Sequence, residues 1–304
     1  MVKELSRLKT ESRNPNSMNL SEMPTTGILK TINNEDKKVA AAVEDVLPFV
    51  ERAVELVYES LKSGGRLFYV GAGTSGRLGV IDASECPPTF MTPPEMVQTV
   101  MAGGKGAFTN AVEGSEDDEE QAILEMKAKN LKQNDVVVGI TASGRTPFPI
   151  GALKYANKAG AKTISLSCNR DSEISRLADC PIEVLVGPEV LTGSTRMKAA
   201  TAHKMILNMI STTVMVKLGK VHENLMVDLH ASNHKLKERA KSILMELTDI
   251  TYQEAQKVLE EAQWKVKPAI VMVEAKVNLR EALKAIEQND GYVGEAIQFA
   301  RLNT

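Results

Sequence analysis

Three stretches of this 304-residue chain combine glycine with small hydroxyls in a way that suits an anion. The first, Gly71-Ala72-Gly73-Thr74-Ser75-Gly76, follows an apolar run and precedes a helix-like segment. Glycines let backbone approach an anion, and the next helix aims its free N–H groups and positive dipole end at it. The second, Thr141-Ala142-Ser143-Gly144-Arg145-Thr146-Pro147, repeats that layout with three hydroxyls around a glycine. Two such loops at neighbouring strand ends would grip one phosphoryl group, which makes Thr74, Ser75, Thr141, Ser143 and Thr146 candidate phosphate ligands. The third, Thr192-Gly193-Ser194-Thr195-Arg196-Met197-Lys198, puts hydroxyls and two cations at the start of a long helical pattern. Cations there oppose the helix dipole. An anionic ligand or a neighbouring subunit's carboxylate would justify them, so Ser194, Arg196 and Lys198 are candidate substrate or subunit contacts. Each stretch also has a plainer reading, such as a strand-to-helix turn capped by Ser75. None is a dinucleotide fingerprint, because the third glycine is wrongly spaced and no acidic residue ends the second strand. None is a Walker loop, because no Gly-Lys-Ser/Thr follows.

Carboxylates supply the second half of the chemistry. Glu85 sits in Ala83-Ser84-Glu85-Cys86-Pro87-Pro88. A helix is expected to end ahead of the two prolines, leaving Glu85 an exposed helix-end residue on the plainer reading. Glu113, Glu116, Asp117, Asp118, Glu119 and Glu120 form an acidic cluster. Most suit a solvated face or the first turn of the next helix. One of them near the strand ends would pair with Glu85, and two carboxylates in different surroundings can divide acid and base roles.

The elements that must position these residues read as an α/β layout. Residues 1–32 suggest an irregular arm, and a helix capped by Asn33 or Asn34 follows, with Pro48 breaking or kinking it. Strands are expected at 66–70, 96–102, 135–141, 163–167 and 181–186, short and apolar as suits strands covered on both faces. Helical segments are expected between them at 76–83, 105–112, 117–131 and 148–159, with a short turn near 172–177. Such alternation indicates a parallel five-stranded sheet flanked by helices, whose ligands lie beyond the carboxyl ends of the strands. All three loops after strands one to three carry glycine or small hydroxyls there. A long helix at 194–218 is apolar nearly all round beyond Met205 and should be buried. A boundary falls near Lys241, and the remainder reads as three short helices in a small bundle. Thr251–Glu254 and Asn278–Glu281 have capping-box patterns, and Pro268 suits a first helical turn.

Composition narrows the function. Formal charge is -2, so no global field argues for nucleic acid or membrane. Aromatics are only 4% of the chain, too few for base-stacking surfaces. No apolar run reaches the ~18 residues of a membrane helix. Cys86, Cys168 and Cys180 lack CxxC spacing and suit small buried hydrophobes in a reducing cytoplasm. His203, His222, His230 and His234 include no HExxH pattern, which argues against zinc.

Taken together, GAGTSGRLGVIDASECPPTF, AVEGSEDD, ASGRTP and TGSTRMKA, in this order, closely resemble the N-acetylmuramic acid 6-phosphate etherase family, which is built on a sugar isomerase (SIS) domain. The likeness runs from about Asn33 to Leu229. It implies a SIS domain over 33–240, an arm at 1–32 and a small UBA-like helical domain at 241–304. Ser115, where many members have alanine, and Arg170, where proline is common, depart from the family pattern. The resemblance implies cleavage of the D-lactyl ether of N-acetylmuramate 6-phosphate in cell-wall recycling. It makes Glu85 the proton donor and Glu116 the other catalytic glutamate, and makes Ser75, Thr141, Ser143 and Thr146 the hydroxyls that hold the sugar phosphate. It also implies a homodimer with no metal or nucleotide cofactor. The rivals are a non-catalytic SIS sugar-phosphate sensor and an aldose–ketose isomerase. No helix-turn-helix or basic patch supports a DNA-binding regulator.

Overall fold

The computed structural model describes residues 8–229 and 233–303, so His230 and Ser232 lie outside the described residues. It divides into two compact units, Met1–Ala83 with Glu95–Ser211, and Ser84–Pro94 with Thr212–Thr304.

The first unit is built on five parallel strands: β1 (Leu67–Gly71), β2 (Val97–Met101), β3 (Val136–Ile140), β4 (Lys162–Ser167) and β5 (Cys180–Glu183). Their spatial order is β2-β1-β3-β4-β5. The register sets Leu67 against both Val97 and Val136, so all three strands start level. Every residue of β1 and β3 is buried, as expected of strands with helices on both faces. Phe68, Val70, Val137, Phe148, Leu153 and Ile174 form the centre of that core. At the start of the sheet Arg66 donates to both oxygens of Asp135, at 3.2 and 2.7 Å, and Asp135 also accepts from the backbone N–H groups of Arg66 and Lys132. This buried carboxylate fixes the level at which β1 and β3 begin.

Helices α1 (Thr25–Glu44), α2 (Leu47–Lys62), α3 (Gly73–Phe90), α4 (Glu119–Ala128), α5 (Pro147–Ala159) and α6 (Lys198–Lys217) complete the α/β region. The break before α2 falls where Pro48 forbids continuation, and Pro48 sits in the first turn of the new helix. Helix α2 then buries Val50, Ala53, Val54, Val57 and Leu61 at helical spacing.

Several local expectations are corrected. Helix α1 begins after Pro24 and runs straight through Asn33 and Asn34, so neither is a cap and the limit at 32 falls inside a helix. The segment before it holds three 3-10 turns and is pinned: Asn14 donates to the Pro188 carbonyl at 2.9 Å and Ser17 to the Val190 carbonyl at 2.7 Å. Helix α3 does not stop before Pro87-Pro88. The prolines cannot donate to the preceding turn, but Met91 N–H reaches the Pro87 carbonyl at 2.9 Å and Cys86 and Phe90 are buried one turn apart. Burial there outweighs local propensity. The 105–112 segment forms only a 3-10 turn, Gly104–Phe108, followed by loop.

In the second unit a two-stranded ribbon, β6 (Val221–His222) with β7 (Leu225–Met226), precedes α7 (His234–Thr248), α8 (Tyr252–Glu261), α9 (Val266–Ala275), α10 (Leu279–Gln288) and α11 (Val293–Leu302). Lys241 lies within α7, so a boundary there would cut a continuous helix. Both expected capping boxes form, at Thr251 with Glu254 and at Asn278 with Glu281, and α11 is a helix beyond the three expected after 241. Leu244, Leu259, Ile270, Val271 and Val293 lie in its core. Among the described residues no helix is long and apolar enough to cross a membrane.

Candidate active site

Strand β1 has β2 on one side and β3 on the other, so the helices that follow β1 and β3 diverge there. This reversal of strand order opens a crevice at the carboxyl ends of β1 and β3, the usual ligand site of such sheets. The two predicted hydroxyl loops are the segments that leave those strands.

The first loop is made by close backbone contact. A Cβ on Gly76 would sit 2.6 Å from the Gly71 carbonyl oxygen, and one on Gly71 would sit 2.9 Å from Gly76 N. Only glycine at both positions lets α3 start directly on β1. Thr74 and Ser75 then stand half-exposed in the first turn of α3. In the second loop Thr141 Oγ1 lies 3.2 Å from Ser143 Oγ and 2.8 Å from Thr146 Oγ1. Gly144 is left-handed at φ 75°, and a Cβ there would come within 2.3 Å of Ser172 Cβ. Helix α5 starts at Pro147, immediately after Thr146. The structure thus gathers Thr141, Ser143 and Thr146 into one hydroxyl cluster.

Asn169, at the end of β4, steadies this cluster and was not singled out from sequence. Its amide nitrogen donates to the carbonyls of Ala142 and Ser143 at 3.2 and 3.3 Å and to Thr10 Oγ1 at 3.1 Å, and its oxygen accepts from Lys9 N at 2.8 Å. Its place just past a strand's carboxyl end was the available signal.

Glu116 lies exposed in a 3-10 turn, Ser115–Asp117, behind left-handed Gly114. It lines a 200 Å³ cavity together with Ala72 and Gly73, which begin the first hydroxyl loop. Arg77, one turn into α3, holds the intervening loop: Nε donates to the Phe108 carbonyl at 3.0 Å, and Nη2 to those of Ala107 and Asn110 at 2.8 and 3.0 Å. These bonds take carbonyls that a helix over 105–112 would have used. Arg77 lies inside the GTSGRLG motif, but nothing in its type signals three carbonyl partners. A larger cleft, of 910 Å³, runs beside Phe49, Arg170 and Glu183 and contains none of the candidate ligands or glutamates, so size does not select the site.

Glu85 is also exposed on α3, ten residues beyond Ser75, a rise of ~15 Å down the helix. Helix α3 must return from the carboxyl end of β1 to the start of β2, which is level with the start of β1. Glu85 lies in the last two turns of α3. One turn before it, Asp82 is buried and accepts from Tyr69 Oη at 2.9 Å, Asn208 Nδ2 at 2.6 Å and Ser211 Oγ at 3.0 Å. Burial raises the Asp82 carboxyl pKa, against those hydrogen bonds and the charge of Lys204. Asp82 locks the rotation of α3 about its axis.

The third stretch departs most from expectation. Helix α6 begins at Lys198, four residues later than predicted, because Glu189 accepts from the backbone N–H groups of Lys198 and Ala199 at 3.0 and 2.9 Å. Lys198 is not a solvated or ligand-facing cation. It is 1% exposed and pairs with Glu35 at 2.7 Å, so the carboxylate that justifies it comes from its own chain. Burial alone would raise the Glu35 pKa, but hydrogen bonds from Lys198, Lys38, Asn16 and Asn14 hold it down to about 2. Ser194 is half-exposed and Arg196 exposed in the turn ahead of α6.

Cys86, Cys168 and Cys180 are buried. Burial pushes the Cys168 thiol up, and it meets His203 Nε2 at 3.4 Å, an imidazole that burial pulls down to about 4. Among the described residues no group of three His, Cys, Asp or Glu is placed to hold a metal.

The fold and its paired strand-end loops define a SIS-domain protein. Residues 109–213 match the SIS domain family, and residues 49–157 match the glucokinase regulatory protein N-terminal SIS domain. A solved Bacteroides fragilis structure, described as a phosphosugar isomerase involved in capsule formation, superposes with a TM-score of 0.50 at 21% identity, covering 67% of this chain and 97% of that one, which speaks for the fold alone. The N-acetylmuramic acid 6-phosphate etherase of Bacillus subtilis is 56% identical over 294 residues, 97% of each chain. That of Clostridium beijerinckii is 51% identical over the same share of both chains. The chain belongs to the N-acetylmuramic acid 6-phosphate etherase family.

Proposed function

We propose that this protein is a carbon–oxygen lyase that removes the D-lactyl ether of N-acetylmuramate 6-phosphate in the cytoplasm, and that it works as a homodimer whose subunits share each site. The observation that supports the reading is the cavity that Glu116 shares with Ala72 and Gly73, the turn that leaves β1 just before Thr74 and Ser75. The hydroxyls of Ser75, Thr141, Ser143 and Thr146 hold the 6-phosphate, which fixes the far end of the sugar and orients the reacting carbons. In the open-chain sugar, carbon 2 lies beside the aldehyde, so its hydrogen is acidic. Glu116 takes that proton, the carbon 2–carbon 3 double bond forms, and the ether oxygen leaves carbon 3 with its electron pair. The departing lactate takes a proton from a glutamic acid, Glu85. Water then adds its oxygen to carbon 3 while carbon 2 is reprotonated, giving N-acetylglucosamine 6-phosphate and D-lactate. Each positioned acid or base contributes roughly 10²- to 10⁴-fold. The aldehyde is the electron sink, so the steps need no further group.

The fold bears on which Glu85 does this. A general acid must come within hydrogen-bond reach of the atom it serves. Ser75 and Glu85 have ~15 Å of helix rise between them, so a substrate that lies across the strand ends and not along α3 takes its acid from another chain. The partner subunit's Glu85 fills the role. The test is lactate release in deuterium oxide: the reading expects D-lactate and deuterium at carbon 2 of the sugar product. Conversion of a 2-hydroxy aldose phosphate such as glucose 6-phosphate to its ketose, with no lactate from N-acetylmuramate 6-phosphate, would establish the isomerase rival instead, and unlabelled carbon 2 would exclude abstraction followed by solvent exchange and reprotonation there.

A further inference from the structure

The cavity beside Glu116 has a chemical character of its own. Its apolar lining is Ala72, Met101, Ala102, Ala107, Ala111 and Val112, beside the polar Asn110 and Ser115, and Val112 is 45% exposed. Its charged lining residues are Arg77, Glu113 and Glu116. The Arg77 guanidinium is held by three backbone carbonyls, and the two glutamates leave the lining with a formal excess of one negative charge. Such a space repels a carboxylate and accepts a neutral group with a methyl end.

The cavity also lies where one particular part of the substrate must be. Its lining includes both Ala72 and Gly73, immediately before Thr74 and Ser75, and Glu116. A sugar held by its phosphate that offers its carbon 2 hydrogen to Glu116 brings the other substituent of carbon 2 to the same cavity. We propose that this cavity receives the acetamido group on carbon 2, with Ala107, Ala111 and Val112 as the wall against its methyl, and that it sets the N-acyl preference of the enzyme. The inference rests on the lyase reading above for the place of carbon 2. The lactyl carboxylate, repelled by Glu113 and Glu116, lies outside it. Arg77 is the strut: its three bonds fix Ala107 and the loop up to Asn110, so the wall is rigid enough to discriminate one methyl group.

Competition binding tests this with N-acetylglucosamine 6-phosphate, N-propionylglucosamine 6-phosphate and glucose 6-phosphate, which differ only at carbon 2. The wild-type protein should bind the N-acetyl compound roughly tenfold or more tightly than glucose 6-phosphate, the discrimination a small apolar pocket supplies. Ala111→Leu, at an exposed position that tolerates bulk, fills the cavity. It should abolish the N-acetyl preference while glucose 6-phosphate binds as before. Val112→Ala enlarges the cavity and should shift preference toward the N-propionyl compound. An Ala111→Leu variant that weakens all three ligands alike, or keeps the wild-type preference, overturns the assignment. Lactate release by the wild-type protein is assayed separately. A protein that releases no lactate loses the lyase reading, yet its acyl preference still reads out whether this cavity binds the acyl group.

Discussion

Co-expressing a Glu85→Gln chain with a Glu116→Gln chain distinguishes a site completed in trans from one completed within a chain. The magnitude follows from the path of α3. Ten residues from Ser75 to Glu85 give ~15 Å of rise. If each site takes Glu116 from one subunit and Glu85 from the other, a heterodimer of the two variants has one site with both glutamates and one with neither. Chains carrying different affinity tags allow that heterodimer to be purified away from both homodimers. Its lactate release per dimer should be about half that of the wild type, since a two-fold dimer has two equivalent sites. Each homodimeric variant should be at least roughly tenfold below the wild type, the floor for losing a positioned acid or base. If both glutamates act within one chain, every site of the heterodimer carries one lesion and activity stays at the level of the homodimers. That result, or full wild-type activity in a monomer, refutes the argument from helix rise.

Arg77→Ala removes three bonds to the loop that carries Glu116. Turnover should fall about 10²-fold, as for a ~1 Å misplacement of a catalytic group, while inhibition by glucose 6-phosphate persists; equal loss of both would mean general unfolding. Lys198→Met removes the buried cation of the Glu35 pair and leaves that carboxylate with Lys38, Asn16 and Asn14. Urea unfolding should show a loss of about 3 kcal/mol, and the double variant Lys198→Met/Glu35→Leu should recover much of it. His203 has an ordinary pKa of 6.5 and a folded value of about 4. The unfolded chain therefore binds a proton that the native imidazole refuses, so this residue's contribution is intact above pH 6.5 and is lost as the pH falls toward 4. His203→Gln should flatten the stability profile within that window in thermal melts at stepped pH, and an unchanged slope would remove His203 as its source.

Much of the scaffold was legible because its signals are local. Continuous apolar runs such as Leu67–Gly71 and Val136–Ile140 can only be strands covered on both faces, and glycine with hydroxyls at their ends marks the ligand side. Thr251 and Asn278 announce helix starts through residues three positions away. Those patterns, with the length of the shared motifs, determined the fold class and the family and named the candidate phosphate hydroxyls. What sequence misplaced depends on partners distant in the chain. Helix α3 passes through Pro87-Pro88 with Cys86 and Phe90 buried, which no local preference anticipates. Helix α6 starts at Lys198 because Glu189 caps it, and Lys198 is neutralised by Glu35, 163 positions earlier. The same holds for the two glutamates. Their types and motifs named them as a pair, but a parallel strand obliges its following helix to run back down the sheet. The tertiary structure sets Glu116 on the cavity that Ala72 and Gly73 line, and α3 puts ~15 Å of rise between Ser75 and Glu85.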